Sequence, residues 1–265
     1  MARGQSTASR AKRYKSFRSI SALLLREMST SYGKSPGGYV WAIAEPVAAI
    51  AVLSMAFLLV FKTPRLGTNF PLYFATGYLP FMLGADIASK VGSSIRFSRT
   101  LLAYPMVRFT DAIAARILLT LITSLLVGII VLTGIHIIFD LTSIVDPVSA
   151  AKSIAMAITL GTGLGTLNCY LFFSLPIWER GWAIVTRPLV LASGVVFLYD
   201  TMPVFAKDIL WYNPYTHLVG MMRRGFYPTY EAAYISQAYV YSFALICLAL
   251  GLMLLYRHEK AMIHN

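Results

Sequence analysis

Apolar stretches of roughly membrane-spanning length alternate with short polar and basic segments along the chain. A helix that crosses the hydrocarbon core needs about 20 mainly apolar residues. Four stretches reach that length without a Lys, Arg, Asp or Glu: Leu66–Ala85, Ile117–Phe139, Ser153–Trp178 and Ala232–Tyr256. Pro46–Phe61 and Trp182–Tyr199 are shorter and also qualify, provided that Glu45 and Arg187 place their charges at the interface. The pattern therefore predicts an all-α polytopic membrane protein with six transmembrane helices.

The basic residues give this arrangement an orientation. The chain has 23 Lys and Arg against 11 Asp and Glu, a net charge of +12. Most of the basic residues precede the first span or lie in every second connection, and such segments face the cytoplasm. Both termini are then cytoplasmic. The excess charge is read as a topology signal that also attracts anionic membrane lipids, so no nucleic-acid partner is expected.

The residues before the first span divide into a tail and a helix. Residues 1–15 are rich in Ser, Arg and Lys, which is typical of a disordered basic tail. Between residues 16 and 32, Phe17, Ile20, Leu23, Leu24 and Met28 recur at helical spacing. Residues 16–38 are therefore predicted to form an amphipathic helix in the cytoplasmic interface and a linker. The six-span domain is assigned to residues 39–265.

The connection between spans five and six is unusually apolar. Ile209–Met222 is too short to cross a bilayer, and Asn213-Pro214 interrupts it. A segment of about residues 203–228 is thus predicted to form two re-entrant half-helices, which enter the protein interior rather than lipid. An ordinary amphipathic surface helix is the alternative.

Motifs for catalysis or nucleotide binding are weak in this sequence. Gly33-Lys34-Ser35 resembles the end of a phosphate-binding loop, but Met28 occupies the position where that loop needs a glycine. The glycines within Gly161–Thr166 lie in an apolar run, which favours close helix packing. The four histidines lack metal-ligand spacing. We therefore expect a non-enzymatic chain with no ATP site, cofactor or metal of its own.

The strings Leu25-Arg26-Glu27-Met28, Tyr32-Gly33-Lys34-Ser35, Gly38-Tyr39-Val40-Trp41-Ala42 and Glu45-Pro46 together resemble the opening of ABC-2 polysaccharide-export permeases. Within that family, the resemblance is to the inner-membrane permeases of capsular polysaccharide export. It implies a homodimer in the bacterial inner membrane, with two copies of a cytoplasmic ATPase that binds ATP and Mg. It also implies a periplasmic adaptor, an outer-membrane channel and a lipid-linked, commonly acidic polysaccharide.

The resemblance also suggests roles for particular residues. Aromatic candidates for the substrate channel, which are equally well explained as lipid-facing, are Tyr73, Phe74, Tyr78, Phe81, Phe197 and Tyr199. Candidates for lipid or substrate entry are Arg18, Arg26 and Lys34, for which headgroup contact is the alternative. The ATPase-coupling helix would carry Arg96, Phe97 and Arg99, unless that segment is only a basic loop. The periplasmic gate would contain Trp211, Tyr212, Asn213, Arg223 and Arg224.

Three other functions are compatible with the same general pattern. A permease for O-antigen or teichoic acid would share the six-span plan. A membrane enzyme acting on lipid-linked sugars would need clustered acids, bases or metal ligands at one membrane face. The dispersed carboxylates of this chain argue against that enzyme. A membrane scaffold without a transport role is the third alternative.

Overall fold

A computed structural model describes residues 20–26, 28, 38–97, 109–142 and 145–258. The described residues contain helices and no strand, which confirms the all-α prediction. The helices are α1 (20–26), α2 (Gly38–Leu58), α3 (Phe70–Gly92), α4 (94–97), α5 (Phe109–Ile138), α6 (Pro147–Ser174), α7 (Pro176–Ala192), α8 (Val204–Trp211), α9 (Pro214–Phe226) and α10 (Gln237–Arg257). A 3₁₀ turn, Tyr199–Thr201, lies between α7 and α8. The predicted tail of residues 1–15 lies outside the described residues.

Four described helices are long and apolar enough to cross a membrane. They are Val40–Leu58 in α2, Phe109–Ile138, Pro147–Ser174 and Gln237–Arg257. They correspond to the first, third, fourth and sixth predicted spans. The other two predicted spans fall on α3 and α7, which are not among the four: α3 has 23 residues but is less apolar, and α7 has only 17 residues. The six-span arrangement therefore stays a prediction.

The helix boundaries around α7 correct the sequence prediction. Leu175 has a non-helical backbone (φ −133°, ψ 83°) and Pro176 starts a new helix, so Trp178 belongs to α7 rather than to span four. The α7 helix ends at Ala192 and is followed by Gly194 at φ +76°, a conformation that favours glycine. The sequence pattern places Phe197 and Tyr199 in span five. Both lie beyond α7, Phe197 in irregular chain and Tyr199 in the 3₁₀ turn.

Small residues let α6 approach its neighbours at the centre of the molecule. A Cβ added to Gly163 would lie 2.2 Å from the Ala244 carbonyl oxygen on α10. At Gly161 it would lie 2.6 Å from the Gly84 carbonyl oxygen on α3. Side chains at these positions would separate the helices, so the predicted packing role of the glycines is confirmed.

The short helix α9 is enclosed by α3, α6 and α10. All residues from Tyr215 to Arg223 are buried. The preceding break occurs where the sequence predicts it. Asn213 caps α9 by accepting a hydrogen bond from the Tyr215 N–H (3.0 Å), and its amide donates to the Ala192 carbonyl (2.9 Å). The elbow between α8 and α9 is thereby attached to the end of α7.

Candidate functional site

Arg223 lies in the last turn of α9 and its side chain points inward. It is 1% exposed, its Nη2 donates to the Val195 carbonyl (2.8 Å), and its guanidinium lies 4.1 Å from the centroid of the Tyr73 ring. Arg223 has no carboxylate partner within ion-pair distance among the described residues, unlike Lys90, which pairs with Asp86, and Arg96, which pairs with Glu179. Its charge is stabilised by a carbonyl dipole and an aromatic face. The adjacent Arg224 is exposed.

Tyrosine hydroxyls near Arg223 stay neutral and do not offset its charge. Tyr234, in the connection before α10, stacks on Tyr199 with ring centroids 3.9 Å apart and accepts a hydrogen bond from the Tyr230 hydroxyl (3.4 Å). Burial raises the pKa of Tyr234 to about 12, although that hydrogen bond and the charge of Arg223 act in the opposite direction. Burial also raises the pKa of Tyr230. The tyrosines therefore leave the charge of Arg223 in place, and the carboxylate that interacts with Tyr230 and Tyr234 is that of Asp200.

A cavity of about 170 Å³ lies beside this cluster, at the end of α2 and the start of α3. It contains two of the predicted channel aromatics, Tyr73 and Phe197. Its other lining residues are Phe57, Phe61, Thr63, Pro64, Arg65, Phe70, Val196, Leu198, Thr201 and Met202. We call it the Arg65 cavity, because Arg65 is its charged residue.

The remaining predicted channel aromatics are not brought into this cavity. Phe74 is fully buried and packs edge-on against Phe57 (5.2 Å between centroids). Phe81 is 1% exposed and contacts Tyr215 in the core. In this conformation neither ring offers a free face to a ligand. Tyr78 is partly buried, and Tyr199 is buried against Tyr234.

The predicted ATPase-coupling segment forms contacts inside the chain. Arg96 on α4 forms a bidentate ion pair with Glu179 in the first turn of α7, with Nη2 to Oε1 at 2.7 Å. Phe97 is 42% exposed, and the Arg116 guanidinium lies 4.1 Å from its ring centroid. Arg99 lies outside the described residues. Glu179 was not singled out in the sequence, since no local pattern links positions 83 residues apart.

Two indole hydrogen bonds reinforce this attachment of α7. Trp178 donates to the Asn168 side-chain oxygen on α6 (3.1 Å), and Trp182 donates to the Ser89 hydroxyl on α3 (3.2 Å). The first turns of α7 are therefore bonded to α3, α4 and α6. A displacement of α4 would act directly on the start of α7.

The predicted entry residues lie mostly outside the described part of the chain. Arg18 and Lys34 are both in segments that the structure leaves undescribed. Arg26 is exposed on α1, where Leu23 is 4% exposed and Leu25 is 66% exposed. One side of α1 thus faces the protein and another faces away from it.

Three of the predicted gate residues, Trp211, Tyr212 and Asn213, lie at the α8–α9 elbow, whereas Arg223 and Arg224 lie at the other end of α9. Tyr212 is 70% exposed, whereas the Trp211 indole donates to the Tyr234 carbonyl (3.2 Å). His217 was not among the predicted gate residues. Its Nδ1 accepts the Ser236 N–H (3.2 Å), so its Nε2 carries the proton and donates to the Trp211 carbonyl (2.8 Å). Burial lowers the pKa of His217 and favours this neutral form. The elbow is thereby held to the start of α10.

Comparison with known protein families adds the deciding observation. The profile described as ABC-2 type transporter matches residues 18–227, which include α1 to α9. The chain belongs to the ABC-2 type transporter family. Membership assigns this ABC-2 chain to the membrane-embedded transport subunits rather than to the enzymes.

Curated relatives of this ABC-2 chain have names that refer to polysaccharide transport. It is 28% identical over 244 residues to the polysialic acid transport protein KpsM of Escherichia coli, covering 92% of this chain and 95% of KpsM. It is 26% identical to the capsule polysaccharide export inner-membrane protein CtrC of Neisseria meningitidis, covering 92% of each chain. BexB of Haemophilus influenzae, with the same description as CtrC, is 24% identical, again over 92% of each chain.

Proposed function

We propose that this chain is the transmembrane permease subunit of an ABC transporter that exports a lipid-linked capsular polysaccharide across the bacterial inner membrane. The observation that carries the proposal is the similarity to KpsM, CtrC and BexB over nearly the whole length of each protein. The helical architecture and the four apolar helices of spanning length agree with it.

The proposed topology has six spans, formed by α2, α3, α5, α6, α7 and α10, with both termini in the cytoplasm. The low hydropathy of α3 is compatible with a span, because much of its surface faces other helices rather than lipid. In this topology α1 lies in the cytoplasmic interface. Burial of α9 from Tyr215 to Arg223 supports its re-entrant placement, since a buried helix needs no lipid-facing apolar surface, whereas α8 has no buried residue. The proposed domain division is 1–15, 16–38 and 39–265.

A homodimer would explain two uncovered apolar faces. None of the 17 residues of α7, all of them described, is buried against the rest of the described chain. Ile184 of α7 is 68% exposed, and Met55 of α2 is 67% exposed. In the proposed dimer, a second copy covers part of these faces and encloses the polymer path, and lipid covers the rest.

Energy for export is proposed to come from two copies of a cytoplasmic ATPase, which bind ATP and Mg and contact α4. Phe97 is 42% exposed and can form that contact, although the Arg116 guanidinium lies over one face of its ring. Arg96 has a different part in this scheme, because its guanidinium is already bonded to Glu179. It passes the movement of α4 on to α7. A periplasmic adaptor and an outer-membrane channel complete the proposed export route.

Deletion of the gene tests the proposed substrate. We expect capsular polysaccharide to disappear from the cell surface and to accumulate inside the cell, with restoration by a plasmid copy. Immunoblots of surface and intracellular polymer measure this, and lipopolysaccharide O-antigen is the control. Loss of O-antigen with an intact capsule would contradict the proposal and identify an O-antigen permease.

Alanine substitutions at Arg223 and Arg224 compare a buried and an exposed arginine of the proposed gate. Arg223→Ala removes a buried hydrogen bond and a ring contact and leaves a void, so we expect a loss of about 2 kcal/mol in the free energy of unfolding together with reduced export. Arg224→Ala at an exposed position should change it by less than about 0.5 kcal/mol. Thermal unfolding in detergent measures both variants. Equal unfolding temperatures would contradict the inward placement of Arg223.

A further inference from the structure

The walls of the Arg65 cavity come from three separate parts of the chain. Phe57 and Phe61 belong to the end of α2 and the residues after it, Phe70 and Tyr73 to α3, and Phe197 to the chain after α7. Aromatic faces carry partial negative charge and attract the C–H face of a sugar ring without fixing any hydroxyl. A cavity of about 170 Å³ holds a single ring rather than a folded length of chain.

The charged residue that lines the cavity is an arginine, and the nearest carboxylate along the chain is that of Asp200, which precedes the lining residue Thr201. Arg65 is exposed at its rim, and no Asp or Glu is among the residues that line it. Arg223 lies behind the wall, with its guanidinium 4.1 Å from the centroid of the Tyr73 ring. Low-polarity walls concentrate such a field and attract anions. The planar guanidinium of Arg65 matches the two oxygens of a carboxylate.

We infer that the Arg65 cavity is a binding subsite for one anionic sugar residue of the exported polymer, with Arg65 as the residue that selects the carboxylate. The inference rests on the proposed function and adds a chemical class of ligand to it. An exposed arginine and aromatic walls give a weak, rapidly exchanging site. A moving polymer requires such a site, because tight binding would stop its movement.

The test compares two probes that differ only in charge. Purified protein in phosphatidylcholine nanodiscs, which contain no anionic lipid, is titrated with α2,8-linked trisialic acid and with the same trimer after reduction of its carboxylates to alcohols. Saturation-transfer NMR detects binding in the millimolar range. For the wild type we expect the acidic trimer to bind about tenfold more tightly than the reduced one, the size of a charge-assisted hydrogen bond.

Two variants assign this preference to Arg65. Arg65→Gln should remove the preference for the acidic trimer while binding of the reduced trimer persists through the aromatic walls. Lys62→Gln is the matched control, because it removes one exposed charge three residues away that does not line the cavity. Equal affinity of wild type for the two trimers would overturn the inference. A loss of preference in Lys62→Gln as large as in Arg65→Gln would also overturn it.

Failure of this inference is distinguishable from failure of the proposed function. If both trimers bind equally while gene deletion still abolishes surface capsule, the chain is an exporter without a charge-selecting subsite at Arg65. If deletion leaves capsule intact, the proposed function is wrong whatever the trimers do.

Discussion

Alanine at position 163 is expected to destabilise this ABC-2 chain strongly, although the substitution adds only one methyl group. The added Cβ would lie 2.2 Å from the Ala244 carbonyl oxygen and 3.0 Å from its carbonyl carbon. These are backbone atoms of α10, so the clash can be relieved only by moving a whole helix. We expect Gly163→Ala to lower the free energy of unfolding by about 3 kcal/mol, at the upper end for overpacking. Thermal unfolding followed by the fluorescence of the four tryptophans measures it.

Gly134 on α5 provides the matched control. A Cβ at Gly134 would meet nothing within 4 Å, and alanine is the better helix former. Gly134→Ala should therefore leave the unfolding temperature unchanged or raise it slightly. Similar losses in the Gly134 and Gly163 variants would show that α6 and α10 are not in close backbone contact.

Local patterns in the sequence were sufficient to predict this glycine packing and the break at Asn213-Pro214. Small residues within an apolar run, and proline after a capping residue, act through the backbone of their own segment. Asp86 and Lys90 likewise pair as their spacing of four residues predicts, with 3.4 Å between Oδ2 and Nζ. Each of these features depends on residues that are neighbours in the chain.

Features that depend on distant residues were not predictable in the same way. The sequence analysis assigned both Arg223 and Arg224 to the gate. In the structure Arg223 is buried against Tyr73, whereas Arg224 is exposed. Helical periodicity alone did not identify which of the two arginines faces Tyr73. Phe74 and Phe81 were selected as channel aromatics because aromatic rings suit sugars. Phe74 is buried against Phe57 of α2 and Phe81 against Tyr215 of α9, and no local signal predicted either contact.

The attachments of α7 connect the two ends of the molecule. None of its residues is buried, so little apolar packing within the described chain holds it in place. Its first turns are bonded to α4 through Glu179 and to α3 through Trp182. Its last residue, Ala192, accepts a hydrogen bond from Asn213 at the α8–α9 elbow. A weakly packed helix that is bonded at both ends can transmit a displacement from α4 to the α8–α9 elbow.

Charge reversal at Arg96 and Glu179 tests this transmission. Arg96→Glu and Glu179→Arg each place like charges at a bidentate contact, so each should lower export by about tenfold, a typical coupling free energy between sites. The double variant restores opposite charges and should recover export to within about threefold of wild type. Surface polymer and ATP hydrolysis by the complex with its ATPase are measured together, and hydrolysis should persist in the single variants while export falls.

The same set of variants separates transmission from direct docking. If Arg96 instead binds the ATPase, Glu179→Arg alone should leave export unchanged, and the double variant should be as defective as Arg96→Glu. Arg180→Glu is the matched control, because Arg180 is exposed beside Glu179 and forms no ion pair among the described residues. Normal export in that control together with recovery in the double variant would establish that α4 acts on α7 through this one pair of side chains.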